Sequence, residues 1–304
     1  KDQLNVGIVG AHRGASFIDP FTTITETQVV AICDVNEASL NDVAEKYGVE
    51  RRFTDYEKML ENDDIDIVVL ATPENLHVPQ SISALKAQKH VVSEVTAATS
   101  LEQCYELVRT VRTSKTKYMM AENFTYMKSN VLVRELVRRG FFGDIYYAEG
   151  AYIHELKELN EVTRWRRHWQ TGINGCTYPT HSLGPVLTWF EGQRVVAVNA
   201  VGTGHHYRDP REDSYEMEDS VTMMCRLSGG GLAQIRVDML SDRPHHMTHY
   251  ALQGTDGSYE SADGFEAPAK IWLRSRNAEQ RWEHLDKLEE LLSEQRVDKL
   301  VREE

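Results

Sequence analysis

The chain has 304 residues, of which 41% are hydrophobic and 27% charged, with a formal net charge of −13; that length allows one large or two ordinary domains, and that charge argues against nucleic acid or an anionic membrane as the main partner. Its four cysteines, Cys33, Cys104, Cys176 and Cys225, are scattered without a CxxC pair and read as reduced thiols rather than a disulfide framework. There is no internal repeat, no apolar run near the roughly 20 residues of a membrane span and no visible signal peptide, so a cytoplasmic protein is expected unless an export signal has been removed ahead of Lys1.

Asn5-Val6-Gly7-Ile8-Val9-Gly10 is a short apolar run ending in glycine and reads as a buried strand. Val29 to Asp34 is a second strand, and Ala38 to Tyr47 has helical spacing that stops at Gly48. Ile65 to Ala71 is a third strand, followed by Thr72-Pro73, and Val78 to Ala87 is helical. His90 to Glu94, helical Leu101 to Thr113 and a strand from Tyr118 to Asn123 complete the alternation. Apolar strands alternating with helices predict a doubly wound parallel sheet, covered on both faces, over residues 1–123.

Beyond that point the texture changes. A helix is predicted from Ser129 to Arg139, closed by Gly140. Strands of looser alternation follow at Ile145 to Ile153, Arg194 to Val201, Ser220 to Leu227, Leu232 to Met239 and His249 to Gln253. Turn signals at Gly229-Gly230-Gly231 and Gly254 to Gly257 suggest hairpins, hence a second, α+β domain over 124–304 with a large, open, mostly antiparallel sheet. Trp282 to Val301 places apolar residues on one face of an amphipathic helix.

Strand, glycine turn, helix, strand and then an acid is dinucleotide geometry. Glycines let the backbone approach a pyrophosphate, and the helix N-terminus offers free N–H groups. Asp34 would accept a hydrogen bond from a ribose 2′-hydroxyl and repel a 2′-phosphate, so NAD is expected over NADP. The loop Gly10-Ala11-His12-Arg13-Gly14-Ala15 departs from G-x-G-x-x-G/A. Either His12 occupies the second glycine position, or the turn is one residue short and Gly14 is its last glycine; His12 and Arg13 would then add donors.

The run from Asn5 to Gly150 resembles the Gfo/Idh/MocA oxidoreductases, which pair a Rossmann domain with an open-sheet domain. Thr72-Pro73-Glu74-Asn75-Leu76-His77 resembles their T-P-x-x-x-H loop, and Glu94 matches the glutamate of their E-K-P motif. Val95 and Thr96 replace the lysine and proline, and that lysine usually helps to remove a hydroxyl proton during hydride transfer. Either another residue takes over or dehydrogenation is impaired.

A narrower resemblance carries further. Glu94-Val95, Glu122-Asn123, Gly150-Ala151-Tyr152-Ile153-His154, Trp165-Arg166, Tyr178-Pro179-Thr180-His181 with Leu183-Gly184-Pro185, and Tyr250 with Gln253-Gly254-Thr255 occur in that order. They are similar to the NAD-dependent glycosidases of glycoside hydrolase family 109, although Ser182 replaces a usual glycine and the chain ends sooner than such proteins do.

The resemblance implies redox-neutral cleavage of a sugar or glycoside. A hydride passes from the sugar C3 to tightly held NAD, a base removes the acidified C2 proton, the glycosidic bond is eliminated, water adds, and the hydride returns. It implies cofactor contacts at Gly10, His12, Arg13, Gly14, Asp34, Thr72, Pro73, Asn75, His77, Glu94, Val95, Asn123, Arg166 and Tyr178. His181, Tyr178 and Tyr152 are the expected catalytic residues, and Tyr152, Tyr178, Thr180, His181 and Tyr250 the expected substrate contacts. Histidine suits such a proton transfer. His181 lies one helical turn from Tyr178, Pro179 suits a helix start, and Pro185 predicts a kink or early break.

Arg164-Trp165-Arg166-Arg167-His168 with Trp169 reads as a loop over the site, and the acidic segment Asp209 to Asp219 as a mobile loop. His205-His206 and His245-His246-x-x-His249 lack an acid-flanked ligand set, so no metal is expected. A simple sugar dehydrogenase and a non-catalytic nucleotide sensor are the competing functions, and an open sheet face suggests a homo-oligomer by analogy.

Overall fold

The computed structural model describes residues 3–262 and 268–291. The chain divides into two compact units, Lys1–Ala121 and Glu122–Glu304.

In the first unit strands and helices alternate: β1 (Leu4–Val9), α1 (Ala11–Thr23), β2 (Thr27–Cys33), α2 (Glu37–Tyr47), β3 (Arg51–Phe53), α3 (Tyr56–Leu60), β4 (Ile67–Leu70), α4 (Glu74–Lys86), β5 (His90–Ser93), α5 (Leu101–Thr113) and β6 (Tyr118–Met120). The six strands pair in the order β3-β2-β1-β4-β5-β6, all parallel. β1 is buried from Asn5 to Val9, as a central strand covered on both faces must be. Side chains punctuate the helices: Asn36 caps α2 at the Ser39 N–H, Ser100 caps α5 at the Gln103 N–H, and Gly48 ends α2 in the left-handed region. Short β3 and α3 carry too few residues to show a period and were not anticipated. The last strand stops at Met120 rather than at Asn123.

The second unit opens with a 3₁₀ turn (Asn123–Tyr126) and α6 (Lys128–Arg138). Then come β7 (Ile145–Ile153), α7 (Lys157–Val162), α8 (Trp165–Trp169), α9 (Thr180–Trp189), β8 (Val195–Gly202), β9 (Ser220–Leu227), β10 (Leu232–Asp238), β11 (Met247–Gly254), β12 (Gly257–Glu260), β13 (Lys270–Leu273) and β14 (Glu283–His284). The eight strands run β14-β13-β12-β11-β7-β10-β9-β8, antiparallel throughout except for β7 beside β10. One face packs on α6 and α9 through Leu136, Val186, Trp189, Ile235 and Leu252. A smaller cluster gathers Tyr152, Leu156, Met217, Val237 and Met239.

Four expectations are corrected. The stretch from Trp282 is not an amphipathic α-helix where it is described: Glu283–His284 is a strand and Leu285–Leu291 a 3₁₀ helix, while 292–301 lie outside the described residues. The run Arg164 to Trp169 ends in the short helix α8 rather than in an open loop. The segment from Asp209 is pinned, because the buried Asp209 carboxylate accepts hydrogen bonds from Arg167, Arg211 and the Asp213 N–H. Helix α9 runs through Pro185 instead of breaking there. Proline lacks the N–H that would bond the His181 carbonyl one turn back, and the Tyr250 hydroxyl donates to that carbonyl in its place, at 2.5 Å.

Candidate active site

In the first unit the expected cofactor residues gather at the carboxyl ends of β1, β2, β4 and β5, where the strand order reverses between β1 and β4. Gly10 lies at φ +90, and a Cβ there would stand 2.5 Å from the Ala71 carbonyl oxygen. Helix α1 begins directly after it, so the turn is short. Gly14 takes the place of the packing glycine, since a Cβ would strike Ile8 Cγ2 on β1. The first turn of α1 carries no acid, which leaves its N-terminus suited to an anion. Asp34 directly follows β2, with Oδ2 accepting from the Ala11 N–H at 2.7 Å and Oδ1 from the Asn36 N–H at 2.8 Å. A glycine cradle, an open helix start and a carboxylate at the next strand end together fit a dinucleotide.

The remaining positions divide between open and occupied. His12 is exposed. Arg13 forms an ion pair with Glu94, whose second oxygen accepts from the Val95 N–H at 3.1 Å. Thr72 donates to Gln80 at 2.6 Å, Pro73 precedes α4, and Asn75 in its first turn has a buried Oδ1 without a partner. His77 is buried with Nδ1 2.6 Å from the Thr96 carbonyl oxygen and Nε2 2.8 Å from that of Thr72. Burial lowers its pKa, against the raising effect of the Thr96 and Thr72 carbonyls and of Glu94. Each ring nitrogen thus faces a backbone carbonyl of a different loop, and the single N–H of the neutral ring donates to one of them. Val95 is buried and brings no ionisable group.

In the second unit the rings of His181, Tyr178 and Tyr152 lie together. His181 sits in the first turn of α9, with Tyr152 and Tyr178 edge-on at ring separations of 5.0 and 5.1 Å. Two residues outside the expected set complete the group. Glu122, itself buried, places both carboxylate oxygens 2.8 and 2.9 Å from His181 Nδ1. Phe124 stacks on the imidazole at 4.1 Å and 17°. Nδ1 facing a carboxylate holds the ring proton, which leaves the lone pair on Nε2. Gly184 makes room for this pair, because a Cβ there would lie 2.6 Å from Glu122 Cγ.

Tyr152 donates or accepts at His154 Nδ1, 2.7 Å away, and burial raises its pKa above the ordinary phenol value. Thr180 has a buried hydroxyl without a partner. Arg166 on α8 binds Gln170 at 2.9 Å, lies over the Trp165 ring at 4.6 Å and keeps a buried Nε without a partner. Asn123 is exposed at the start of the 3₁₀ turn. Tyr250 is 2% exposed and its hydroxyl donates to the His181 carbonyl, so it positions the histidine.

Glu122 belongs with Asn123 to the motifs that carry the resemblance, but the sequence assigns it no role. Its partner is 59 residues away, and only folding brings the two together.

Residues 4–122 match the model of the Gfo/Idh/MocA oxidoreductase family, NAD-binding Rossmann fold, and residues 126–295 that of the glycosyl hydrolase 109 C-terminal domain. A glycosyl hydrolase family 109 protein of Saccharopolyspora erythraea is 31% identical over 92% of this chain and 66% of its own length. An α-N-acetylgalactosaminidase of Shewanella oneidensis is 31% identical over 84% of this chain and 62% of its own length. The chain thus spans just under two thirds of the relatives it matches. Among solved structures, levoglucosan dehydrogenase in complex with NADH superposes with a TM-score of 0.77 at 20% identity, covering 93% of this chain and 80% of that one. The WlbA dehydrogenase of Bordetella pertussis, in complex with NADH and UDP-GlcNAcA, gives 0.72 at 25%, covering 85% and 77%. With an NAD-binding Rossmann unit followed by this C-terminal domain, the chain belongs to glycosyl hydrolase family 109.

Proposed function

We propose that the protein is an NAD-dependent enzyme that cleaves a glycoside without net oxidation or reduction. The observation that carries this reading is the buried Glu122–His181 pair, set among Tyr152 and Tyr178 in the glycosyl hydrolase unit. Bound NAD would supply a hydride acceptor and donor for the sugar C3, held by the Gly10 turn, the α1 N-terminus and Asp34.

The chain's own residues then do the proton chemistry. Glu122 orients His181 through its Nδ1, in the manner of a carboxylate behind a catalytic imidazole. His181 Nε2 takes the proton from the carbon next to a carbonyl, C2, where a positioned base contributes typically 10²–10⁴-fold. Phe124 fixes the ring plane, and the Tyr250 bond to the His181 carbonyl fixes its backbone. Arg166 and Thr180, whose Nε and hydroxyl are buried and unpartnered, are assigned in this reading to sugar oxygens. Self-association belongs to the same reading, since Val196, Val198 and Val201 are more than half exposed on the edge strand β8; sedimentation of the purified protein reads it directly.

The test is a panel of nitrophenyl glycosides presented to NAD-loaded protein in D₂O. Aglycone release without net absorbance change at 340 nm, with deuterium at C2 of the sugar product, is expected. His181→Ala should abolish turnover while NAD stays bound. Stoichiometric NADH from a free sugar would establish a dehydrogenase instead, and neither signal across the panel would establish a sensor.

A further inference from the structure

The sheet of the second unit has two faces, and strand register tells them apart. Ala148 of β7, Cys225 of β9 and Ile235 of β10 pack under α6 and α9, the helix that begins with the His181 turn. Successive side chains on a strand alternate in direction, so Ser220 and Thr222 of β9 and Gln234, Arg236 and Asp238 of β10 lie on the opposite face. Register sets Arg236 across from Thr222 and Asp238 across from Ser220. With Asp219, which directly precedes β9, they line a cavity of about 600 Å³, a size that suits a small molecule.

The polar groups of this cavity are only partly used by the chain. Asp238 accepts from Arg236 Nη2 at 2.8 Å and from the Ser241 hydroxyl at 2.9 Å. Arg236 Nε donates to the Ser220 hydroxyl at 3.0 Å. Gln234 Oε1 accepts from the Tyr147 hydroxyl at 3.2 Å, and Asp219 Oδ2 from the His206 N–H at 2.6 Å. Asp219 is 4% exposed, yet its Oδ1 has no partner. Arg236 Nη1, Gln234 Nε2 and the Thr222 hydroxyl likewise make no hydrogen bond among the described residues. A buried carboxylate oxygen without a donor costs free energy, and a ligand donor would remove that cost.

The open groups select the ligand. One acceptor, two donors and a hydroxyl that does both call for a molecule that donates and accepts at neighbouring positions. Two carboxylates against one guanidinium disfavour an anion. The guanidinium and the amide N–H disfavour an ammonium. No cluster of His, Cys, Asp and Glu among the described residues could hold a metal ion. A sugar hydroxyl donates and accepts at one atom, and adjacent hydroxyls on a ring present that pair side by side.

We propose that this cavity is an ancillary binding site for a neutral pyranose unit, on the sheet face away from α9. Its task is to hold a sugar ring, not to react with it. It goes beyond the glycoside reading and requires neither NAD nor turnover.

Saturation-transfer NMR on the full chain carrying His181→Ala tests this, with glucose, galactose, mannose and N-acetylgalactosamine as the probes. At least one sugar should receive saturation from the protein. Its affinity, read by titration, should weaken about tenfold or more in Gln234→Leu and in Thr222→Val, each of which deletes one hydrogen-bonding group at nearly constant size. Valine and leucine are tolerated in a strand, and should one variant not fold, the other decides. Saturation of none of the four sugars overturns the proposal. So does an affinity unchanged by the substitutions, and so does displacement of the sugar by putrescine, which would mark the cavity as an amine site. Failure of glycoside cleavage in the wild-type protein would remove the earlier reading and leave this result standing.

Discussion

At the scale of single residues, His181 is held from three directions: Glu122 at its ring nitrogen, Phe124 on its ring face, and Tyr250 at its backbone carbonyl. The last contact exists because Pro185 cannot donate to that carbonyl. This gives a double-mutant cycle with a definite sign. Tyr250→Phe leaves a buried acceptor unpaired and should cost about 1–3 kcal/mol in urea unfolding. Pro185→Ala in the Tyr250→Phe background supplies a backbone N–H one turn later and should recover most of that loss. Additive effects of the two substitutions would show that the hydroxyl and the proline do not share the carbonyl.

At the scale of elements, α8 is short and owes its place to the segment that follows the β8 strand. Asp209 is the anchor there, with Arg167 of α8 and Arg211 both on its Oδ2 and with Arg167 also over the Tyr215 ring at 4.7 Å. Burial alone would raise the Asp209 pKa, but hydrogen bonds from the Arg211 backbone and side chain, the Asp213 N–H and Arg167 outweigh it and bring it down to about 2. A depressed folded-state pKa contributes stability that is present above the ordinary value of 3.8 and lost as pH falls through about 2. Asp209→Asn should therefore be less stable than wild type at pH 5 to 7, and the two denaturation curves should converge toward pH 2. A constant gap across that range would deny the ionised carboxylate its role. Arg166, next in chain to Arg167, should lose its placement in the same variant.

At the scale of the whole molecule, each unit carries its own core: Val9, Leu70 and Ile82, with Ile8 and Ile32 on the other sheet face, in the first, and Leu136, Trp189 and Ile235 in the second. Among the described residues no helix is long and apolar enough to cross a membrane. A ligand bound only by the folded first unit stabilises it by mass action, about 2.7 kcal/mol at a hundred times its Kd. NAD should therefore raise the melting temperature measurably, and NADP less, because Asp34 would face the added phosphate. Asp34→Ala also loses a cap on the Ala11 N–H, so the informative quantity is the difference between the two cofactor shifts, which should narrow. Equal shifts in the wild type would remove Asp34 as the discriminator.

The alternating apolar strands and helices of residues 1–121, and the hairpin-linked strands that follow, were determined by local pattern. Periodicity and turn chemistry act between near neighbours, so they can be read along a chain. The same holds for the Gly10 turn, Asp34 and the Tyr178-to-His181 turn, each of which is a short motif. Only the tertiary structure decided what those residues touch. It joined Glu122 to His181 across 59 positions, joined Tyr250 to the carbonyl that Pro185 leaves open, set the two ring nitrogens of His77 against carbonyls of two loops, and fastened the segment at Asp209. A side-chain hydrogen bond between distant residues imposes no period and no spacing on the sequence, because either partner alone is an ordinary polar residue. The two become a pair only once the sheet and helix that carry them have been packed together.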